Sequence, residues 1–174
     1  MMVLVVGPSG VGKSELGQCA EHQIVGCQFY DLDNVVKKST GISTGELLPN
    51  IGNDAFLELC QEEVNALGCK CSDQLCVVAV GAGAPQSSDA LEWLRCHSTV
   101  AVTASAEEVY KRGGPRNKDR SFEQFKQTEY SEDRNRIYES AEHKLDVDGL
   151  SLQQAKERFV ELIESILNQP FGSV

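Results

Sequence analysis

Residues 7–14 read GPSGVGKS, with the spacing G-x-x-x-x-G-K-S. Glycines at 7, 10 and 12 let a backbone turn tightly with several N–H groups pointing inward, the shape that cradles phosphate. In that pattern Lys13 reaches β- and γ-phosphates and the Ser14 hydroxyl ligates Mg2+. Two carboxylates follow in YDLD, where Asp31 and Asp33 stand two residues apart. One can hold Mg2+ through water. The other can accept a proton from a hydroxyl, or orient it. The run GAGAP at 81–85 offers small residues that let backbone approach a ligand closely. A basic stretch comes last: eight of the 16 Lys and Arg residues lie from Lys111 to Arg136, in a chain of net charge −10. Its first part, KRGGPRNKDR, has the composition of a mobile lid that closes over polyphosphate and excludes water. Arg134 and Arg136 are two apart on an expected helix, so at most one of them serves the site.

These groups need elements to position them. Val3 to Val6 is a short β-branched strand, and 15–21 reads as a helix with Leu16, Cys19 and Ala20 on one face. The phosphate loop therefore sits between strand and helix, the context its chemistry requires. Further strands are expected at 28–31, 75–80, 99–103 and 144–147. Ser105 with Glu108, and Ser151 with Gln154, have the spacing of capping boxes. The last helix carries one apolar stripe of Leu152, Ala155, Phe159, Leu162, Ile163 and Ile166. Asp54 is expected to cap a helix that turns Phe56, Leu59, Cys60, Val64 and Leu67 inward. Alternation of this kind predicts an α/β fold of three layers: a five-stranded parallel sheet with helices on both faces. The 174 residues form a single domain. In such sheets ligands bind at the carboxyl ends of the strands, where the four motifs above fall.

Bulk properties narrow the partners to a small molecule. The acidic balance argues against nucleic acid or an anionic membrane surface. The longest apolar run, LCVVAVGAGA, is too short to span a bilayer, and no leader is expected ahead of the first strand. Seven scattered cysteines fit reduced thiols in the cytoplasm. The CKC at 69–71 matches no usual zinc spacing, and the three histidines carry no catalytic spacing.

The order of strand, G-x-x-G-x-G-K-S, D-x-D, glycines at the third strand, basic lid and R-x-x-x-Y-E-x-A resembles the shikimate kinases over roughly residues 3–167. DLDNVVKKSTG and RNRIYESAEHKLDVDG carry the family-specific part. The resemblance implies a P-loop kinase of the nucleoside-monophosphate-kinase-like fold, with a lid at about 111–122. It implies phosphoryl transfer from ATP, with Mg2+, to a hydroxyl of a small metabolite, shikimate giving shikimate 3-phosphate in aromatic amino acid biosynthesis. It also implies a cytoplasmic protein, expected as a monomer. By the same resemblance Gly10, Val11, Gly12, Lys13, Ser14 and Glu15 hold the nucleotide, and Asp31 assists the metal beside Ser14. Asp33 meets the acceptor's hydroxyls and serves as base, while Gly81, Ala82 and Gly83 offer backbone to the acceptor. Arg112 stacks on adenine, Arg120 neutralises phosphate from the lid, and Arg134 pairs with the acceptor's carboxylate. The catalytic set is Lys13, Asp33 and Arg120.

The chain also departs from that pattern. The family's G-E-x-x-F-R-x-x-E becomes GNDAFLELC, with Asn53, Leu57 and Cys60 for glutamate, arginine and glutamate. Lys37 stands where an acidic residue is common, the triple glycine is Gly-Ala-Gly, and the lid reads DRSF for RPLL. The missing arginine is a second grip on the acceptor's carboxylate. One hydrogen bond to a charged group contributes about 1.5–3 kcal/mol, so its loss weakens carboxylate binding ten- to a hundredfold. Leu57 would offer the acceptor apolar surface instead. Two other readings follow: a kinase with another acceptor, and a non-catalytic nucleotide-binding relative. A GTPase switch is set aside, because NKDR at 117–120 places its aspartate one position early for the guanine motif.

Overall fold

β-Branched and aliphatic residues buried on both faces make the three central strands of a parallel sheet, as expected for a layer covered by helices on each side. The computed structural model describes residues 1–71, 73–81, 89–113 and 119–168. The strands are β1 (Met2–Val6), β2 (Cys27–Asp31), β3 (Leu75–Ala79), β4 (Ser98–Thr103) and β5 (His143–Asp146). They form one five-stranded sheet in the order β2-β3-β1-β4-β5, all parallel. Each expected strand is present, with ends shifted by a residue. The helices are α1 (Lys13–Gln23), α2 (Leu32–Thr40), α3 (Thr44–Ile51), α4 (Asn53–Lys70), α5 (Ala90–Arg95), α6 (Ala106–Arg112), α7 (Phe122–Glu129), α8 (Glu132–Ser140) and α9 (Leu152–Leu167).

Strand β1 lies at the centre and divides the core by the period-2 alternation of its side chains. Val3 and Val5 join Leu16 and Ala20 of α1 and Phe159 and Ile163 of α9. Leu4 and Val6 join Val36 of α2, Phe56 and Val64 of α4 and Trp93 of α5 on the other face. Full burial of such a side chain contributes about 1.5–3 kcal/mol, so these two faces hold the scaffold that carries the loops.

Helix starts follow their local chemistry, with two corrections. The Ser151 and Gln154 box is complete. At α6 only half of the expected box forms: Ser105 Oγ accepts from the Glu108 N–H at 3.4 Å, while the Glu108 carboxylate turns to Arg112. The i,i+4 charge pair outcompetes the reciprocal bond. Asp54 does not cap α4. Gly52 does, at φ 83 and ψ 170, a conformation that other residues rarely reach, and Asp54 falls in the first turn. Helix α3 is an element that the sequence reading did not single out. Pro49 lies inside it, and Leu47 anchors it in the core. The expected lid loses its ends to helix: Lys111 and Arg112 close α6 and Phe122 opens α7. Its residues 114–118 lie outside the described residues.

Candidate active site

The phosphate loop leaves β1 and enters α1 directly. Gly7, Gly10 and Gly12 have φ of 149°, 88° and 109°, as the motif requires. Gly12 is the N-cap of α1 in the left-handed region, so the loop turns and the helix N-terminus points into the site without strain. Lys13 opens the helix, and its Nζ donates to the carbonyls of Gly7 at 2.7 Å and Pro8 at 3.0 Å. Burial pulls its pKa down to about 8, against the opposing pull of Glu129, Asp33 and Asp31. The ammonium is thus held inside the loop, ready to exchange carbonyl partners for phosphate oxygens.

The end of β2 supplies the carboxylates. Ser14 Oγ donates to Asp31 Oδ2 at 2.8 Å. Asp31 Oδ1 accepts from the Asp33 N–H at 3.1 Å and so caps α2. One side chain therefore ties the loop to the helix that carries Asp33. The hydroxyl and carboxylate oxygens of Ser14 and Asp31 are the hard donors that Mg2+ takes, and a small donor set suits an ion that keeps several waters and binds substrate phosphates. Asp33 lies against Gly81, just past β3; a Cβ built on Gly81 would overlap its carboxylate. Burial, then the neighbouring Asp31, raise the pKa of Asp33, with Lys13 opposing. A carboxyl raised in this way is a better proton acceptor for a hydroxyl.

Lys13, Ser14, Asp31, Asp33, Gly81 and Arg112 line a single cavity of about 630 Å3. A second cavity of about 340 Å3 lies beyond Arg112, walled by Val11, Glu15, Leu150 and Leu152. Arg112 is held between the two: its Nε donates to Glu108 at 3.1 Å and its Nη2 to the Val147 and Leu150 carbonyls. Ala82 and Gly83 lie outside the described residues.

The remaining arginines behave differently from one another. Arg136 is exposed and pairs with Glu132 along its own helix at 2.6 Å. Arg134 is buried at 8% exposure and faces the centre of the molecule, where its Nη1 donates to Glu129 Oε2 at 2.8 Å. The same oxygen accepts from the Ser9 N–H of the phosphate loop at 3.1 Å. The other oxygen, Oε1, accepts from Arg120 Nη1 at 3.3 Å. Arg120 also lies 5.4 Å from the centre of the Phe125 ring. Glu129, 5% exposed, is a buried carboxylate beside the phosphate loop that the sequence reading missed. It ends α7 while Arg134 lies in α8, so no helical spacing rule connects them.

Leu57 corrects an expectation. It is 2% exposed and packs with Phe56 and Cys60 in the core, outside the lining of the 630 Å3 cavity. The α4 face that turns inward takes positions 56, 57, 60, 64 and 67 together, and a leucine there follows the apolar stripe. Cys60 is buried beside it, and burial, then Asp33 and Glu63, push its thiol up to about 12, out of nucleophilic range.

The family model of shikimate kinase matches residues 9–166. The chain belongs to the shikimate kinase family. It is 30% identical over 169 residues to the shikimate kinase of Geobacter metallireducens, across 93% of this chain and 91% of the relative. Among solved structures, the shikimate kinase of Bacteroides thetaiotaomicron superposes with a TM-score of 0.78 at 21% identity, over 97% of this chain and 99% of that one. The Acinetobacter baumannii shikimate kinase in complex with shikimate superposes at 0.74 with 20% identity, over 98% and 95%. These likenesses bear out the fold, and family membership makes this chain a small-molecule kinase.

Proposed function

We propose that this protein transfers the γ-phosphoryl group of ATP to a hydroxyl of shikimate, giving shikimate 3-phosphate. One observation carries the reading: Lys13, Ser14, Asp31 and Asp33 line one cavity, linked through Asp31, in a member of the shikimate kinase family. Ser14 and Asp31 would hold Mg2+, which would supply positive charge to offset the charge that develops on transfer. The loop N–H groups and Lys13 orient the triphosphate. Asp33 accepts the proton of the attacking hydroxyl. Arg112 flanks the smaller cavity, where Leu150 and Leu152 suit a base. Arg120 adds positive charge from the lid side. Catalysis of this kind is positioning and charge neutralisation, and little covalent chemistry falls to the protein.

The acidic net charge and seven free cysteines support a cytoplasmic protein working on a small molecule. Among the described residues no helix is long and apolar enough to cross a membrane. We expect a monomer, which light scattering checks.

The test is ADP release with and without millimolar shikimate, in the presence of Mg2+. Shikimate-dependent release is expected, and Lys13→Met abolishes it while the circular dichroism spectrum is kept. ATP binding without stimulation by shikimate would refute the acceptor; full activity of Lys13→Met would refute the phosphate-loop mechanism.

A further inference from the structure

Glu129 is a carboxylate at a place where the reaction calls for positive charge. Its two oxygens reach Ser9 of the phosphate loop, Arg120 and Arg134, and it acts on Lys13 more strongly than Asp33 or Asp31 does. Arg134 and Glu129 are both nearly buried, with side chains 10% and 6% exposed, so their 2.8 Å contact is poorly screened by solvent. A guanidinium paired this way presents nearby ligands with a dipole, and its net charge is offset from within the chain.

The second candidate grip is absent as well. Position 57 is a leucine, and it faces the core. Among the described residues, Lys13, Arg112, Arg120 and Arg134 are balanced by Glu15, Asp31, Asp33 and Glu129, four charges against four. The nucleotide then brings further negative charge. A carboxylate on the acceptor meets no surplus of positive charge among these groups, whereas its hydroxyls meet Asp33 beside Gly81.

We propose that Glu129 is a specificity-determining residue: it supplies Arg134 with its anion internally, so the acceptor is held through its hydroxyls and its carboxylate adds little. The inference rests on the acceptor reading above and deepens it.

The test compares shikimate with its carboxamide, which keeps the ring and hydroxyls and lacks the charge. Steady-state kcat/KM is measured at saturating ATP and Mg2+ for the wild type, Glu129→Gln and Glu129→Gln with Arg134→Gln. The wild type is expected to prefer shikimate by less than about tenfold. Glu129→Gln leaves Arg134 charged and unbalanced, and raises that preference by a further ten- to hundredfold through a lower KM for shikimate. The double variant returns to the wild-type ratio within about threefold. A general loss of structure would lower both substrates together and leave the ratio unmoved.

A wild-type preference above a hundredfold that collapses in the double variant would overturn the proposal, as would an unchanged ratio in a folded Glu129→Gln. If Glu129→Gln fails to fold, the double variant decides, because it removes both charges together. Turnover of the carboxamide with none of shikimate would refute the inference with the acceptor reading, because a carboxylate that adds little cannot exclude the acid. Turnover of neither would refute both.

Discussion

Replacing Gly81 by alanine tests whether Asp33 stands where the reaction happens. The perturbation adds one methyl group at ordinary backbone geometry. The new Cβ would lie 2.5 Å from Asp33 Cγ and Oδ2 and closer still to Oδ1, where ordinary contact begins at 3.4 Å. The carboxylate must therefore retreat by about 1 Å. It is the end of a short side chain on α2, whose backbone N–H is tied to Asp31. Overpacking of this kind costs about 1–3 kcal/mol where the surroundings are rigid, and toward the low end where a side chain can swing. A 1 Å misplacement near reacting atoms costs about 10²-fold in rate. We expect kcat to fall about a hundredfold while the affinity for ATP stays within twofold, because the phosphate loop is untouched. Coupled ADP release measures the first, and displacement of a fluorescent nucleotide the second. A Gly81→Ala enzyme with wild-type kcat would show that Asp33 needs no fixed place against Gly81, and the assignment of Asp33 as base would fail.

Three further predictions follow from the site and the core. Asp33 works ionised and its pKa is raised, so kcat/KM should fall on the acid side at a pH above the ordinary carboxylate range. Lys13 works charged and its pKa is about 8, so kcat/KM should fall again as pH rises through about 8; a profile flat from pH 5 to 10 would contradict both assignments. Ser14→Ala removes one metal donor and the partner of Asp31 Oδ2. Mg2+ titration of that variant should show at least a tenfold higher requirement, and EDTA should silence the wild type until Mg2+ is restored. Phe159→Ala empties a fully buried site between β1 and α9, and urea denaturation should show a loss of about 3–5 kcal/mol.

Much of the site was legible because its parts are local. The phosphate loop, Asp31 and Asp33 lie within 27 residues of one another, and each follows a strand that its β-branched or aromatic residues announce. Gly81 was legible for the same reason, at the end of a fully apolar strand. Glu129 was not, because its partners Ser9, Arg120 and Arg134 come from other elements and no periodicity joins them. Leu57 was misjudged because a motif alignment names a position and leaves its direction open; the stripe of α4 turns it inward. Helix α3 was not singled out in the sequence; Pro49 lies inside it, and Leu47 and Leu48 hold it against the core.

The arrangement of β1 bears on how the protein is made. This strand carries the phosphate loop, yet its sheet partners are β3 and β4, some 70 and 95 residues further on. The helix that follows the loop, α1, packs Leu16 and Ala20 against Phe159 and Ile163 of α9. A ribosome extends a chain at about 5–20 residues per second, so the loop's residues wait several seconds for the strands that flank them. Pairings of such long sequence separation are slow to form and leave apolar surface exposed in the interval. The earliest-made motif is thus among the last to take shape. A nascent chain halted before α9 should carry an intact GPSGVGKS and hold no nucleotide.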